Sequence, residues 1–337
     1  MAQSFSLKLI DISGVNEDPF KLKEVASLIK QECMTTGFFL LKMPDGIKQF
    51  IPSVIEAAKQ FFKLPSNEKQ KLINSVLTQM KVNGQSIPGT GSGYRGVSED
   101  ANFKSDTRES YNMGPDITIS AVTSKGYSGS GMTPWPEEGL LPGWKKIMQD
   151  YTNEVLSTVV PSLRKVFAVS LGLDENYFEQ PGYFDMPTWL LGLTYYFPER
   201  SDASLEIYGI RPHCDSGMFT LLIGDGKPGL QVCLDKSVDV GKRVWLDVQI
   251  PPQGYFVVNI GQVLERWSGG SYKATMHRVM LDGTTDRLSI PFFYDPNIDL
   301  KIIPLVASDA GKVTNYKPES LGQIMLDRLE KHSEDFE

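Results

Sequence analysis

Apolar residues recur at helical spacing in several parts of this chain. Between Asn16 and Thr36 they return every three or four positions, which predicts a helix that ends at Gly37, because glycine commonly follows a helix. Pro161 is expected to kink the helix that contains it, since proline has no backbone N–H. The same spacing predicts four further helices, over residues 48–63, 66–80, 143–172 and 317–332.

Short apolar strands separated by turns replace this pattern after Tyr183. Two earlier runs, Leu7–Ile12 and Phe38–Leu41, are also predicted strands. Nine later strands are predicted, over residues 188–197, 206–211, 217–223, 230–234, 243–247, 255–260, 271–280, 287–294 and 299–303. Short strands at regular spacing predict a barrel or a double-sheet jelly roll.

The stretch from Asn83 to Gly143 differs from both patterns. It is dense in glycine, serine, proline and threonine, but large aromatic residues are interspersed among them. Linkers rarely contain so many aromatic residues, so this stretch is predicted to form long ordered loops with one or two strands. Such loops often shape a binding site.

Composition narrows the class of protein. The chain has 337 residues, a net charge of −7 and 41% hydrophobic residues, which is ordinary for a globular protein and lacks the basic surface of a nucleic-acid binder. We expect no secretory signal and no membrane span. Three scattered cysteines are too few for a disulfide framework and suit a cytoplasmic location. A monomer acting on a small molecule is expected.

Two of the three histidines belong to a pattern that indicates a metal centre. His213 and Asp215 are spaced to point the same way on an extended segment, and His277 follows 62 residues after the aspartate. Two imidazoles and one carboxylate are the facial ligand set of Fe(II) oxygenases. Arg287 and Ser289 have the same spacing on a later strand and could together bind a carboxylate.

Each part of this pattern also has an ordinary interpretation. His213 and Asp215 alone could form a surface turn, and a single His277 could be a core residue. A catalytic zinc site with the same three ligands is possible, but it would leave Arg287 and Ser289 without a role. A serine hydrolase would need a nucleophile elbow that this sequence lacks. His332 lies in a charged tail and is expected to be solvated.

These motifs resemble those of the 2-oxoglutarate- and Fe(II)-dependent dioxygenases, in the branch that includes isopenicillin N synthase. The resemblance covers nearly the whole chain. In the N-terminal part it includes Gly37-Phe38-Phe39 and Trp135-Pro136. The closest match runs from His213 to Pro296 and includes His213-Cys214-Asp215, Thr220-Leu221-Leu222, Gly229-Leu230-Gln231-Val232, Val257-Val258-Asn259-Ile260-Gly261, His277-Arg278-Val279, Arg287-Leu288-Ser289 and Phe292-Phe293.

The resemblance implies a fold and a set of ligands. The fold class is α+β: a double-stranded β-helix, or jelly-roll, core with flanking helices over residues 151–337, closed by a C-terminal helix, and a helical N-terminal region over residues 1–150, as one compact unit. It implies Fe(II) at His213, Asp215 and His277. It also implies 2-oxoglutarate and O2 as cosubstrates, with the distal carboxylate of 2-oxoglutarate at Arg287 and Ser289.

The chain departs from the family pattern at three places. The family often has Asn-x-Tyr-Pro before the His-x-Asp strand, and its Asn and Tyr help hold 2-oxoglutarate. Counted back from Pro198, Tyr195 takes the Asn position, as a candidate cosubstrate residue, and Phe197 takes the Tyr position. Residues 42–46 lack the usual Asn-His-Gly, and Gln262 replaces a common Asp. These departures indicate a divergent member.

The implied activity is hydroxylation, desaturation or oxidative ring closure of a small molecule, in specialised-metabolite biosynthesis. Two alternatives are an oxidase of the isopenicillin N synthase type, which needs no 2-oxoglutarate, and a non-catalytic binding or sensor protein. The substrate is expected to bear a carboxylate held by Arg95 or Arg108, unless Arg108 pairs with an acid such as Glu109 and Arg95 is solvated. The expected substrate-pocket residues are Tyr94, Arg95, Arg108, Tyr111 and Phe293.

Overall fold

Two β-sheets separated by an apolar layer form the centre of the molecule. The computed structural model describes residues 3–73, 81–82, 85–86, 92–97, 107–115, 133–249, 251, 253–305 and 316–324. The eight-stranded sheet contains, in spatial order, β2 (Leu9–Ile10), β3 (Phe38–Lys42), β13 (Tyr255–Ile260), β10 (Phe219–Gly224), β15 (Arg287–Asp295), β8 (Thr188–Tyr196), β7 (Arg108–Met113) and β6 (Gly93–Arg95).

The second sheet has five strands and faces the first. Its spatial order is β1 (Gln3–Phe5), β12 (Leu246–Val248), β11 (Leu230–Cys233), β14 (Met276–Val279) and β9 (Ile210–His213). Two small ladders lie outside these sheets: β4 (Lys81–Val82) with β5 (Gln85–Ser86), and β16 (Lys301–Ile302) with β17 (Glu319–Ser320).

Helices cover the outer face of the eight-stranded sheet. They are α1 (Pro19–Thr35), α2 (Asp45–Lys48), α3 (Ile51–Phe62), α4 (Ser66–Gln70), α5 (Trp144–Glu154), α6 (Val160–Ser170) and α7 (Gln262–Trp267). A π-helical turn, Val155–Val159, joins α5 to α6. In the described part of the chain, none of the helices has the length and hydropathy that a bilayer span requires.

Alternation along the strands assigns each side chain of the large sheet to one of two layers. Leu40 of β3 and Val257 of β13 are a cross-strand pair, and both pack against Val232 of the small sheet. Their neighbours Phe39 and Leu41 belong to the other, larger core beneath the helices. There Phe219 stacks on Phe167 of α6 with ring centroids 5.7 Å apart. A binding site can therefore lie in the layer between the two sheets, which the helices do not cover.

Gly37 ends α1 and turns the chain into β3, as the sequence predicts. Its φ is +68°, and its N–H donates to the Glu32 carbonyl at 2.8 Å. A Cβ at this position would lie 2.1 Å from the Lys273 carbonyl oxygen. Only glycine allows both the left-handed backbone and this close approach.

The predicted jelly-roll fold with flanking helices is confirmed, and each of the nine later strands predicted overlaps an observed strand. For the strand predicted over 206–211 the overlap is confined to residues 210–211, because β9 begins only at Ile210. The helix predicted over 48–63 is observed as α3, which begins later, at Ile51 with Pro52 in its first turn, because Lys48 ends the separate helix α2. The helix over 143–172 is interrupted at the π-helical turn just before Pro161. The elements that were not predicted include β1, α2, α7 and β17, and β17 occupies residues 319–320 of the helix predicted over 317–332.

Three predictions fall partly outside the described residues: the helices over 66–80 and 317–332 and the long loops over 83–143. The predicted helix over 66–80 is observed as α4 alone, and residues 74–80 lie outside the description. The closing helix is described only over residues 321–324, so His332 also lies outside the description.

The predicted boundary at residue 150 divides the strands of the large sheet between the two segments. Strand β7 of the first segment pairs with β8 of the second over six residues.

Candidate functional site

His213, Asp215 and His277 meet at the inner face of the small sheet. His213 and His277 are opposite each other on β9 and β14, and their ring centroids are 4.2 Å apart. Asp215 lies in the turn after β9, where its Oδ1 is 3.6 Å from His213 Nε2 and 3.8 Å from His277 Nε2. One ligand atom from each residue lies within 4.8 Å of the others. The sequence pattern thus becomes a single cluster.

Backbone carbonyls orient the two imidazoles. His213 Nδ1 is 2.8 Å from the Arg211 carbonyl oxygen, and His277 Nδ1 is 3.1 Å from the Thr275 carbonyl oxygen. A carbonyl can only accept, so each Nδ1 carries the proton and each Nε2 presents a lone pair. Both Nε2 atoms therefore point their lone pairs toward the Asp215 side of the cluster, as a metal site requires.

Two polar side chains of the large sheet hold the other oxygen of Asp215. Its Oδ2 accepts hydrogen bonds from Thr220 Oγ1 at 2.6 Å and from Asn259 Nδ2 at 2.7 Å. Asp215 is buried, so these two donors fix its rotamer with Oδ1 facing the imidazoles. Sequence reasoning did not assign a role to Thr220 or Asn259, although both lie in the segments that resemble the family.

The donor atoms of this cluster suit Fe(II). Two neutral imidazole nitrogens and one carboxylate oxygen on one side of a cation leave positions open on its other side. Within the described residues, this is the group of three or more His, Cys, Asp or Glu side chains whose atoms converge closely enough to bind a metal. The residues present therefore fit the iron that the resemblance implies.

Arg287 and Ser289 lie next to each other on the inner face of β15. Arg287 is 7% exposed, and within the described part of the chain its Nε and Nη1 have no hydrogen-bond partner. Its guanidinium lies over the Tyr196 ring, 5.0 Å from the centroid, and the Tyr196 hydroxyl is 3.2 Å from Ser289 Oγ. A buried cation with unsatisfied donors is suited to binding an anionic acceptor such as a carboxylate.

Tyr195 does not face this cluster, which corrects its assignment as a cosubstrate residue. In the ladder between β8 and β15, Arg287 is opposite Tyr196, whereas Tyr195 is opposite Leu288 on the helix-covered face. The Tyr195 hydroxyl donates to Asp286 Oδ2 at 3.0 Å. Burial and this hydrogen bond raise the pKa of Tyr195 to about 12.

Tyr196 instead occupies the place expected for the family's tyrosine. Relative to the family motif, Phe197 is then an additional residue before Pro198. Counting back from the proline therefore placed both motif positions one residue too far toward the C-terminus. The alternative of an oxidase that needs no 2-oxoglutarate rested on the changes at both the Asn and the Tyr positions of the motif. The Tyr196 hydroxyl beside Ser289 removes the second of these two grounds.

Exchanging each tyrosine for phenylalanine separates their roles. Tyr196→Phe is expected to raise the apparent 2-oxoglutarate requirement by about 3- to 10-fold, the usual effect of losing one hydrogen bond. Tyr195→Phe is its matched control and should leave that requirement unchanged. Titration of both Fe(II)-loaded variants with 2-oxoglutarate measures the difference. Equal effects in the two variants would contradict the assignment.

Two of the expected substrate residues, Tyr94 and Tyr111, lie on the wrong face of the large sheet. Tyr111 is fully buried beneath the helices, and its hydroxyl donates to the Pro134 carbonyl at 2.6 Å. Tyr94 is its cross-strand neighbour and donates to Glu109 Oε2 at 2.6 Å. Both are core residues, because strand alternation turns them away from the metal cluster.

The other three, Arg95, Arg108 and Phe293, are on the inner face. Phe293 is opposite Thr220, the residue that contacts Asp215. Arg108 is opposite Tyr196. Arg95 is opposite Ser110, two residues along the same face from Arg108.

The charge around Arg95 favours an anion. Burial and the neighbouring charge of Arg108 lower the pKa of Arg95 to about 10, so Arg95 is not a solvated surface residue. Glu109 projects from the opposite face and pairs with Lys69, whose Nζ lies 2.7 Å from Glu109 Oε2. The acid considered as a partner for Arg108 is therefore engaged elsewhere.

Comparison with known proteins gives family matches along most of the chain. Residues 190–296 match the model of the 2OG-Fe(II) oxygenase superfamily, and residues 7–138 match the N-terminal model of non-haem dioxygenases in morphine synthesis. The chain is 30% identical over 317 residues to a clavatol oxidase of Penicillium crustosum, covering 90% of each chain. It is 29% identical over 333 residues to an azadirone synthase of Melia azedarach, covering 98% of this chain and 93% of that one.

Solved structures agree with these matches. A full-length Neurospora crassa protein in complex with alpha-KG and 5-formyluracil superposes with a TM-score of 0.73 at 26% identity. The superposition covers 95% of this chain and 94% of that chain.

Proposed function

The chain belongs to the 2OG-Fe(II) oxygenase superfamily, and on that premise we propose that it oxidises a small, carboxylate-bearing metabolite in specialised-metabolite biosynthesis. The observation that carries the proposal is the buried Arg287 guanidinium, two of whose donors have no partner among the described residues, in the same layer between the two sheets as the His213–Asp215–His277 cluster. A keto acid could bind the metal through its keto end and the Arg287 guanidinium through its distal carboxylate.

Each side chain of the cluster has one task in this reaction. His213, Asp215 and His277 hold Fe(II), which when bound supplies the activation of O2 coupled to conversion of 2-oxoglutarate into succinate and carbon dioxide. Thr220 and Asn259 keep Asp215 turned toward the metal. The short distances within this network hold the ligand geometry before metal enters, so little reorganisation is needed on binding.

Arg287, Ser289 and Tyr196 bind the far end of 2-oxoglutarate. The guanidinium offers charge-assisted hydrogen bonds to a carboxylate, and the two hydroxyl groups add one donor each. All three side chains are buried, so water competes weakly for the carboxylate. Binding here directs the keto end of the cosubstrate along the inner face toward the metal ligands.

Arg95 and Arg108 are the proposed partners of the substrate carboxylate. Arg95 and Arg108 are half-buried and repel each other, so an anion between them would relieve that repulsion. The arginine fork suits a carboxylate and stays charged under burial. Phe293, beside Thr220 and on the same face, would contact the apolar part of the substrate near the metal.

Neutralising the substrate tests this assignment. Once a substrate is found, its methyl ester should be oxidised with a KM at least about 10-fold above that of the acid, because a charged hydrogen bond is lost. Arg95→Gln and Arg108→Gln should each reduce that preference for the acid. Equal KM values for acid and ester in the wild type would contradict recognition of a carboxylate, and the pocket would then act by shape.

The function itself is tested in two steps. Anaerobic addition of 2-oxoglutarate to the Fe(II) protein should produce a weak visible charge-transfer band. A screen of metabolite extracts for substrate-dependent succinate release should then identify the substrate. Iron binding without the band would support an oxidase that needs no keto acid, and failure to bind iron would support a non-catalytic binding protein.

A further inference from the structure

A second buried carboxylate lies behind the turn that carries Asp215. Asp295 ends β15 and is 5% exposed. Its Oδ1 accepts a hydrogen bond from the Met218 backbone N–H at 2.7 Å. Among the described residues, that N–H is its one hydrogen-bond donor. Neither metal ligation nor cosubstrate binding, as described above, uses this group.

Asp295 and the turn are in direct steric contact. A Cβ on Gly217 would lie 1.8 Å from Asp295 Oδ1 and 2.6 Å from its Cγ. Residue 217 must therefore be glycine for the carboxylate to reach the Met218 N–H. The position of Asp295 and the path of the backbone between Asp215 and Met218 are thus mutually dependent.

The start of α7 supports the same turn from another side. The backbone N–H groups of Gly261, Gln262 and Val263 donate to the carbonyls of Met218, Asp215 and Gly217, at 2.9, 2.9 and 3.0 Å. A Cβ on Gly261 would lie 2.2 Å from the Gly217 carbonyl oxygen. The α7 contacts hold the carbonyl groups of the turn, and Asp295 holds its Met218 N–H.

We propose that Asp295 is a positioning residue of the metal site: through the Met218 N–H it fixes the turn from Asp215 to Met218, without ligating the metal. This inference rests on the proposed function, because it assumes that Asp215 binds a metal. Asp295 acts through the backbone of the turn. The side chain of Asp215 is held separately, by Thr220 and Asn259.

The hydrogen bond to the turn is suited to this role. A carboxylate oxygen accepts the Met218 N–H more strongly than a neutral amide oxygen does, so aspartate at position 295 holds the turn more firmly than asparagine would.

Two substitutions of Asp295 and one control test the proposal on metal-free protein, without catalysis. Asp295→Ala removes both the acceptor and the charge, and Asp295→Asn keeps an acceptor oxygen for the Met218 N–H. Asp225→Asn is the control: its carboxylate accepts the Leu288 N–H at 3.0 Å, near the opposite end of the same strand. Each protein is titrated anaerobically with Co(II), whose visible absorption reports both affinity and coordination geometry.

Asp295→Ala is expected to weaken Co(II) binding by about 10-fold or more and to change the Co(II) spectrum, as outer groups of metal sites commonly do. Asp295→Asn should lose about 3-fold with a near wild-type spectrum, and Asp225→Asn should lose nothing. A merely structural role would lower the melting temperature of Asp295→Ala while leaving the Co(II) affinity and spectrum unchanged, and that result overturns the proposal.

Other outcomes are equally decisive. Should Asp295→Ala fail to fold, Asp295→Asn decides alone, and wild-type Co(II) affinity in that variant overturns the proposal. If the wild-type protein binds neither Co(II) nor Fe(II), the proposed function fails first, and the role of Asp295 fails with it. Wild-type binding with unchanged variants removes only the role of Asp295.

Discussion

Asp215→Ala is expected to abolish iron binding and turnover while leaving the fold largely intact. Asp215 supplies the one negative charge among the three ligands, and its Oδ1 lies between both imidazole Nε2 atoms, at 3.6 and 3.8 Å. Without it, two neutral imidazoles must hold the cation alone. The alanine also leaves Thr220 and Asn259 without their shared buried acceptor, which costs stability on the order of 1–3 kcal/mol.

His213→Ala and His277→Ala should have the same outcome, because a facial site loses affinity and geometry with any one ligand. Iron content after anaerobic reconstitution and succinate release are the measurements. Asp247→Asn is a suitable control, since this carboxylate pairs with Gln231 at 2.8 Å on the same small sheet, away from the cluster. Full activity and stoichiometric iron in Asp215→Ala would rule out the assigned ligand set.

Arg287→Ala should raise the 2-oxoglutarate requirement far more than the requirement for the main substrate. Losing a charged partner of a buried carboxylate costs about 2–5 kcal/mol. At about 1.4 kcal/mol per tenfold change, this is roughly 30-fold to a few thousand-fold in affinity. We expect a loss of affinity of this size because Arg287 is buried and no described residue is hydrogen-bonded to its Nε or Nη1.

Ser289→Ala tests a weaker contact with the same carboxylate. It is expected to cost about 1 kcal/mol of 2-oxoglutarate binding free energy, the contribution of one hydrogen bond. Arg266→Ala is a matched arginine control, because Arg266 pairs with Glu319 at 2.7 Å outside the cluster. The apparent KM for 2-oxoglutarate and the anaerobic titration give independent readings. An unchanged 2-oxoglutarate dependence in Arg287→Ala would move the anchor elsewhere or favour an oxidase without a keto acid.

The sequence by itself determined the residue types of the reaction centre. Histidine is so rare in this chain that two of its three copies, with Asp215, already indicated a metal site. The i, i+2 spacing of Arg287 and Ser289 was sufficient to predict that their side chains share one face of the strand, because alternation in a strand is a local property. The jelly roll was predictable for the same reason: hydrophobic period reports helix or strand before any tertiary contact forms.

Only the tertiary structure decided which face each strand residue occupies. Tyr195 and Tyr196 are adjacent and chemically identical, and a one-residue shift in register exchanges their faces. The same ambiguity placed Tyr94 and Tyr111 in the predicted pocket, although both lie in the helix-covered core. Register depends on pairing with strands far away in sequence, and a single sequence contains no local signal for it.

Contacts between distant segments were likewise beyond the sequence. Asn259 reaches Asp215 across 44 residues, and Asp295 reaches Met218 across 77. Helix α7, whose backbone holds the Asp215 turn, is only six residues long and has too few turns to establish a helical period. The ligands of the site are therefore a property of residue type and spacing, whereas the groups that hold those ligands in place become recognisable only when the sheets pair and close around them.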